Sequence, residues 1–210
     1  MIATTKIKPS ENRSLLNGIR WETYQALALD LAENPSKKLT YNQGILEIMT
    51  SLPEHELNKR FLGRIVETTT EVLGLEIYSL GSTTWSREDL QRGIEPDECY
   101  YITNEAIVRG KLDFDLNIDP PPDLAIEIDI ISSSLDRLSI YANLAIGEIW
   151  RFDGKNLFIY VLQNISCQLQ DYSRVLSVLS TENILRFLQK RKEMGENASL
   201  KSFVNGCKIC

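Results

Sequence analysis

The sequence predicts an α/β (α+β) fold in which one mixed β-sheet is flanked by helices, and three observations carry that expectation. Read along the chain, the order of elements is helix, hairpin, helix, strands, helix, hairpin, helix, which requires a sheet covered by helical layers. Two turn signals, Asn42-Gln43-Gly44 and Asp153-Gly154, each separate a pair of apolar, β-prone runs. Two further runs, 95–102 and 121–130, combine β-branched and aromatic residues with carboxylates and read as buried strands.

Residues 1–18 are polar, show no repeating pattern and read as irregular. From Trp21 the apolar positions Trp21, Tyr24, Leu27, Ala28 and Leu31 recur at helical spacing, and Asn34-Pro35 ends that helix. Leu39 and Tyr41, the turn, and Ile45 to Met49 then form a hairpin whose return strand holds one acid, Glu47, as a site carboxylate or a solvent-facing residue. Ser51 and Glu54 have the spacing of a capping box. The helix that follows repeats Leu57, Phe61, Leu62, Ile65, Val66, Val72 and Leu73 on one face and stops at Gly74.

Residues 76–80 read as a strand, and 104–122 as a long loop dense in Asp and Pro. Ser132 to Ser134 offer caps for a helix presenting Leu135, Leu138, Tyr141, Ala142 and Ala145. Glu148 to Phe152 and Leu157 to Val161 form the second hairpin, with an edge strand at 168–172. Thr181 caps a last helix whose Arg186, Lys190, Arg191 and Lys192 complement its C-terminal dipole or meet phosphate. Residues 1–194 are read as one domain and 195–210 as a polar C-terminal tail.

At 210 residues, 43% hydrophobic and 25% charged, the chain is of globular composition and can bury a sizeable core without disulfides. No apolar run reaches the length of a membrane span and the start lacks a signal-peptide core, so a cytoplasmic protein without a membrane partner is expected. Cys99, Cys167 and the terminal Cys207 and Cys210 are expected to be free thiols, a lone C-x-x-C being weak support for zinc. The net charge of −6 argues against strong binding to a polyanion. Yet residues 95–129 hold ten acids against Arg109 and Lys111, a local net of −8, which leaves +2 elsewhere.

Buried carboxylates demand a bound cation or a basic partner. In the run Asp123 to Ile130, alternation sends Asp123, Ala125, Glu127 and Asp129 to one face and Leu124, Ile126, Ile128 and Ile130 to the other. An antiparallel pairing with 95–102 brings Asp97 near Glu127 and Asp129 and leaves Asp123 out of reach. Asp97 and Glu127 suit Mg²⁺, which takes one or two carboxylates and completes its shell with water and phosphate. The same acids would also serve as solvated strand ends or turn caps.

The run Glu95-Pro96-Asp97-Glu98-Cys99-Tyr100-Tyr101-Ile102, then Pro121-Pro122-Asp123-Leu124-Ala125-Ile126-Glu127-Ile128-Asp129-Ile130 with its serines, then Ile140-Tyr141-Ala142 before Glu148-Ile149-Trp150-Arg151, resembles the bacterial "Uma" family of putative restriction endonucleases. The likeness runs from about Trp21 to about Leu188 and implies a restriction-endonuclease-like core of the PD-(D/E)XK kind. Carried over, Asp97 matches the Asp and Glu127 the acid of the acid-x-Lys motif, while Asp129 stands where that motif has lysine.

The resemblance thus implies a Mg²⁺-dependent endonuclease, Mn²⁺ serving as an alternative ion, that hydrolyses nucleic-acid phosphodiesters, DNA by family analogy. Asp97 and Glu127 would bind the ion, Asp129 would be a further ligand or stand behind the ligands, and Arg137 would replace the missing lysine. Arginine keeps its proton, so Arg137 could hold phosphate but not act as a base. Glu47, Glu56 and His55 lie where a first helix or hairpin could contribute. Homodimerisation is left open. The alternatives are an inactive binding module of the same fold and a metal-dependent hydrolase of a small phosphorylated substrate.

Overall fold

The computed structural model describes residues 12–32, 37–130, 133 and 135–206. The mixed α/β class holds, and the one mixed sheet it requires is joined by a second sheet that is wholly antiparallel. Strand β1 (Asn12–Asn17) replaces the irregular start expected from sequence, because its backbone pairs with the return arm of the first hairpin. Helix α1 (Trp21–Asp30) follows as expected; its proposed stop at Asn34-Pro35 lies outside the described residues. Strands β2 (Lys37–Asn42) and β3 (Ile45–Thr50) form the hairpin, with Gln43 at φ 48° and Gly44 at φ 91° making the two-residue turn that matches strand twist.

Helix α2 (Pro53–Leu73) ends at Gly74 in the left-handed region, φ 65°. The proposed capping box does not form. Leu52 is the N-cap and Pro53 supplies the first turn, where a missing N–H costs nothing. Of the strand expected at 76–80 only β4 (Tyr78–Ser79) is paired. Strands β5 (Trp85–Arg87) and β6 (Arg92–Ile94) complete the antiparallel sheet in the order β1-β3-β2-β6-β5.

Strand β7 (Glu98–Tyr101), the short helix α3 (Glu105–Val108), strand β8 (Leu124–Ile128), helix α4 (Arg137–Asn143), strands β9 (Glu148–Phe152), β10 (Leu157–Gln163) and β11 (Ser166–Gln170) build the rest. The mixed sheet runs β11-β10-β9-β8-β7-β4, with β8 and β9 parallel across the α4 crossover and the other pairs antiparallel. Of the proposed serine caps, Ser132 and Ser134 lie outside the described residues. Asp136 caps α4 by accepting from Ser139 N at 3.1 Å. Helix α5 (Thr181–Met194) is capped by Ser180, one residue before the expected Thr181.

The segment 195–210, read from sequence as a polar tail, is instead helical through α6 (Glu196–Gly206), and the terminal Cys207 and Cys210 lie outside the described residues. Leu200 and Phe203 are buried against Phe187 and Leu188 of α5, so α6 covers part of the core. One face of the mixed sheet packs on α2, α5 and α6 through Leu124, Ile126, Trp150 and Ile159. The other packs on α4 and the second sheet through Cys99, Ala125, Ile140 and Ile149. The outer face of the antiparallel sheet takes α1 through Trp21, Tyr24 and Tyr41, which leaves its inner face turned toward the carboxylate strands.

Candidate active site

Backbone register places the two acidic runs side by side. Glu98 pairs with Ile126, so Asp97, one residue earlier, falls opposite Glu127. Asp97 N donates to Ile126 O at 2.9 Å, and Asp97 Oδ2 accepts from Ile128 N at 2.6 Å, which locks the carboxylate onto the neighbouring strand. On the far side of β8, parallel pairing sets Arg151 beside Glu127. Alternation does the rest. Leu39 and Tyr41 bury against α1, so Lys38 and Thr40, with Glu47 across the hairpin, point inward over the acids.

The inward side chains form one ion-pair network. Lys38, 2% exposed, donates to Asp97 Oδ1 and to Pro96 O, the latter at 3.2 Å. His55, fully buried in the first turn of α2, sets Nε2 at 3.1 Å from Asp97 Oδ2. Glu127 Oε1 accepts from Arg137 Nη2 at 2.8 Å and from the Tyr141 hydroxyl. Arg137 Nη1 and Arg13 Nη1 both donate to Glu47 Oε1, at 3.3 and 3.2 Å, and Ser133 Oγ donates to Glu47 Oε2 at 2.7 Å. Asp129 is gripped by Arg13 Nη2 at 2.8 Å and by Arg151 Nε and Nη2 at 2.9 and 2.6 Å.

This geometry splits the carboxylates electrostatically. Burial alone would raise Asp97, but Lys38 and then His55 hold its carboxyl well below the ordinary range. Burial pushes Glu127 up, with Arg137 pulling the other way and the charge on Asp97 adding to the rise. Burial also raises the Tyr141 phenol, which keeps its proton and stays a donor to Glu127. Arg137 is buried too, yet the Glu127 carboxylate more than offsets desolvation and keeps the guanidinium charged. A cavity of about 120 Å³, lined by Glu127, Asp129, Ser133, Arg137, Tyr141 and Arg151, opens beside these groups.

Of the residues singled out in the sequence, Asp97, Glu127, Asp129 and Arg137 come together, and Glu47 and His55 join them. Glu56 is half-exposed at the edge of the network, with Oε1 3.6 Å from His55 Nδ1 and Oε2 3.8 Å from Lys59 Nζ. Asp123 sits at the opposite end of β8, accepting from Ile102 N, Asn104 N and Asn104 Nδ2 in a turn. Lys38 escaped the sequence reading. Its signal was available: in Lys38-Leu39-Thr40-Tyr41 a lysine alternates with residues that bury, so it must share the face of Thr40. Arg13 and Arg151 were missed as well, the first because 1–18 carries no pattern and the second because it reads as an outward residue of a hairpin.

Among the described residues no three His, Cys, Asp or Glu side chains gather as a metal cluster. A Mg²⁺ ion needs fewer, one or two carboxylates being enough when water and phosphate complete its octahedron. Asp97 and Glu127 are hard oxygen donors on adjacent strands, each within the other's field, and so fit such an ion. Asp129 lies two residues beyond Glu127 with both its oxygens engaged by arginines, and Asp97 itself already accepts from Lys38 and Ile128 N, so an ion held by Asp97 would have to displace Lys38. The free thiols Cys99 and Cys167 take no part. Burial pushes the Cys99 thiol up to about 12, which leaves it inert.

A sequence model of the Uma2 family, described as "putative restriction endonuclease", matches residues 21–191. Strand β1, with Arg13, and helix α6 lie outside that match. A crystal structure of a putative nuclease belonging to DUF820 from Anabaena variabilis ATCC 29413 is similar at 16% identity and a TM-score of 0.48, over 80% of this chain and 98% of that one. No curated protein matches.

Proposed function

Because the chain belongs to the Uma2 family of putative restriction endonucleases over residues 21–191, we propose that it is a metal-dependent endonuclease that hydrolyses phosphodiesters in DNA. The observation that carries this reading is the pairing of two buried carboxylates, Asp97 and Glu127, on adjacent strands beside a cavity lined with guanidinium groups. Asp97 and Glu127 would hold a Mg²⁺ or Mn²⁺ ion. When bound, such an ion polarises a phosphoryl oxygen and lowers the pKa of water.

The chain's own groups supply the remaining tasks. Lys38 and His55 keep Asp97 ionised and fixed in place. Tyr141 and Arg137 orient Glu127, and Arg137, at the cavity wall, presents a permanent charge to the phosphate without acting as a base. No helix among the described residues is long and apolar enough to cross a membrane.

The test is single-turnover nicking of plasmid DNA with Mg²⁺ against EDTA, for wild type, Asp97→Ala and Glu127→Ala, alongside Mn²⁺ titration calorimetry. Ion-dependent cleavage lost in both variants together with ion binding supports the reading. Cleavage that persists in either variant ends it. A second reading is a binding module of the same fold without catalysis. It is favoured by the built-in cations, which already neutralise the acids. Wild-type protein that binds DNA but neither binds Mn²⁺ nor nicks the plasmid would select that module instead.

A further inference from the structure

We propose that Asp129 is a positioning residue that fixes Arg151 as a guanidinium clamp for a backbone phosphate of the nucleic acid at the mouth of the site, while the nearly buried Arg13, shared with Glu47, braces Asp129 from its other side. This rests on the nucleic-acid reading above and assigns Asp129 a role other than metal ligation.

Three observations converge on it. Asp129 divides its carboxylate between the two arginines, Oδ1 taking Arg13 and Oδ2 taking the Nε and Nη2 edge of Arg151. The Arg151 side chain is 31% exposed while Asp129 is 6% exposed, so the fork is anchored from below and reaches solvent above. Arg151 also lines the cavity with Glu127 and Arg137 and stands beside Glu127 across the parallel strand pair.

The electrostatics suit a polyanion. Glu47, Asp97, Glu127 and Asp129 are matched by Arg13, Lys38, Arg137 and Arg151, so a phosphate approaching this face of a chain of net charge −6 meets no local excess of negative charge. A planar guanidinium held in a fixed orientation pairs two-pronged with phosphate oxygens, whereas an unanchored one spends binding free energy on being ordered. Arg13, which braces Asp129, comes from β1, outside the residues that the family match covers.

The test reads binding without metal, by fluorescence anisotropy of a short labelled DNA duplex in EDTA over a salt series. Variants are Asp129→Asn, Arg151→Gln and Arg151→Lys, each checked for folding by thermal melting. On charge alone Asp129→Asn should bind more tightly, since it removes a negative charge. The clamp requires the opposite sign, about a fivefold to tenfold loss. Arg151→Gln should lower the slope of log K against log salt by about 0.9, one phosphate contact, and Arg151→Lys should keep the slope while weakening binding about tenfold.

Should Asp129→Asn fail to fold, the two Arg151 variants decide. Asp129→Asn binding as tightly as wild type or tighter, or an unchanged slope in Arg151→Gln, overturns the clamp. So does competition by inorganic phosphate or a mononucleotide as effective as that by unlabelled duplex, which would assign Arg151 to a small phosphorylated ligand. Because cleavage is never read, failure of the metal-dependent reaction and failure of the clamp are separate results.

Discussion

Lys38 places its amine, almost without solvent, against a fully buried aspartate, and single charges of this kind are where the site is most sensitive. Lys38→Met removes the cation and leaves Asp97 facing only His55 and backbone donors, which should cost about 3–5 kcal/mol, read as a fall in urea midpoint at unchanged slope. The lowered pKa of Asp97 carries a pH signature. Its contribution is fully present above the unfolded value of about 3.9 and is lost as pH falls through the lower folded value. The stability gap between wild type and Asp97→Asn should therefore hold steady at neutral pH and narrow as pH falls below about 3.9. Glu127 has the opposite sign. Raised by burial, its favourable neutral form is present below the unfolded value of about 4.3 and is lost as pH rises through the folded one. Repulsion within the acidic stretch 95–129 would make Glu127→Gln neutral or stabilising, but Arg137 and Tyr141 already satisfy this carboxylate. Glu127→Gln should instead destabilise by about 1–3 kcal/mol by leaving Arg137 under-compensated, a result denaturation in EDTA would check.

Elements with local signals were legible, and those defined by partners were not. Periodicity and a left-handed Gly74 announce α2, and the Gln43-Gly44 turn announces its hairpin. The three-residue strands β5 and β6 exist because β2 offers an edge, and nothing in Trp85-Ser86-Arg87 encodes that edge. Gly93 shows how closely this sheet is fitted. A Cβ there would lie 2.1 Å from the Tyr24 hydroxyl and 2.6 Å from its ring carbon Cζ, while Tyr24 is stacked on Tyr41 with centroids 4.9 Å apart. The ring cannot retreat without disturbing Trp21, so α1 must shift from the sheet. Gly93→Ala should thus cost about 1–3 kcal/mol by overpacking, visible as a lower melting temperature with weakened near-ultraviolet circular dichroism from these aromatics. An unchanged aromatic signal would show that α1 docks more loosely than this stacking implies. In the basic cluster of α5, Arg186 and Lys190 lie over the Phe187 ring and Arg191 over Phe61, contacts that neither the dipole nor the phosphate reading of these residues anticipated.

At the scale of the whole molecule, the site is the seam between two sheets, and this explains why half of it could be read and half could not. Asp97, Glu127 and Asp129 are ordered by one strand pair whose alternation is written in the sequence, but Lys38, Glu47 and Arg13 reach them from the other sheet, through a tertiary contact that no local pattern specifies. The same limit hid α6, because a polar stretch whose large apolar residues within 196–206 are Leu200, Phe203 and Val204 looks like a tail until α5 provides a surface. In place, Leu200 and Phe203 are buried, Phe203 packs edge-on against Phe187 with centroids 5.1 Å apart, and Ser199 Oγ donates to Phe187 O at 3.0 Å. At about 1.5–3 kcal/mol for each buried large apolar side chain, removing the helix should cost roughly 3–6 kcal/mol, with Phe187 newly exposed. A chain ending at Met194 should therefore melt well below the full chain and bind an apolar dye. Phe203→Ala alone should reproduce a large share of the loss, about 3–5 kcal/mol. A truncated protein with an unaltered melting temperature would mean that α6 rests on the core without stabilising it, and would restore the reading of this segment as a tail.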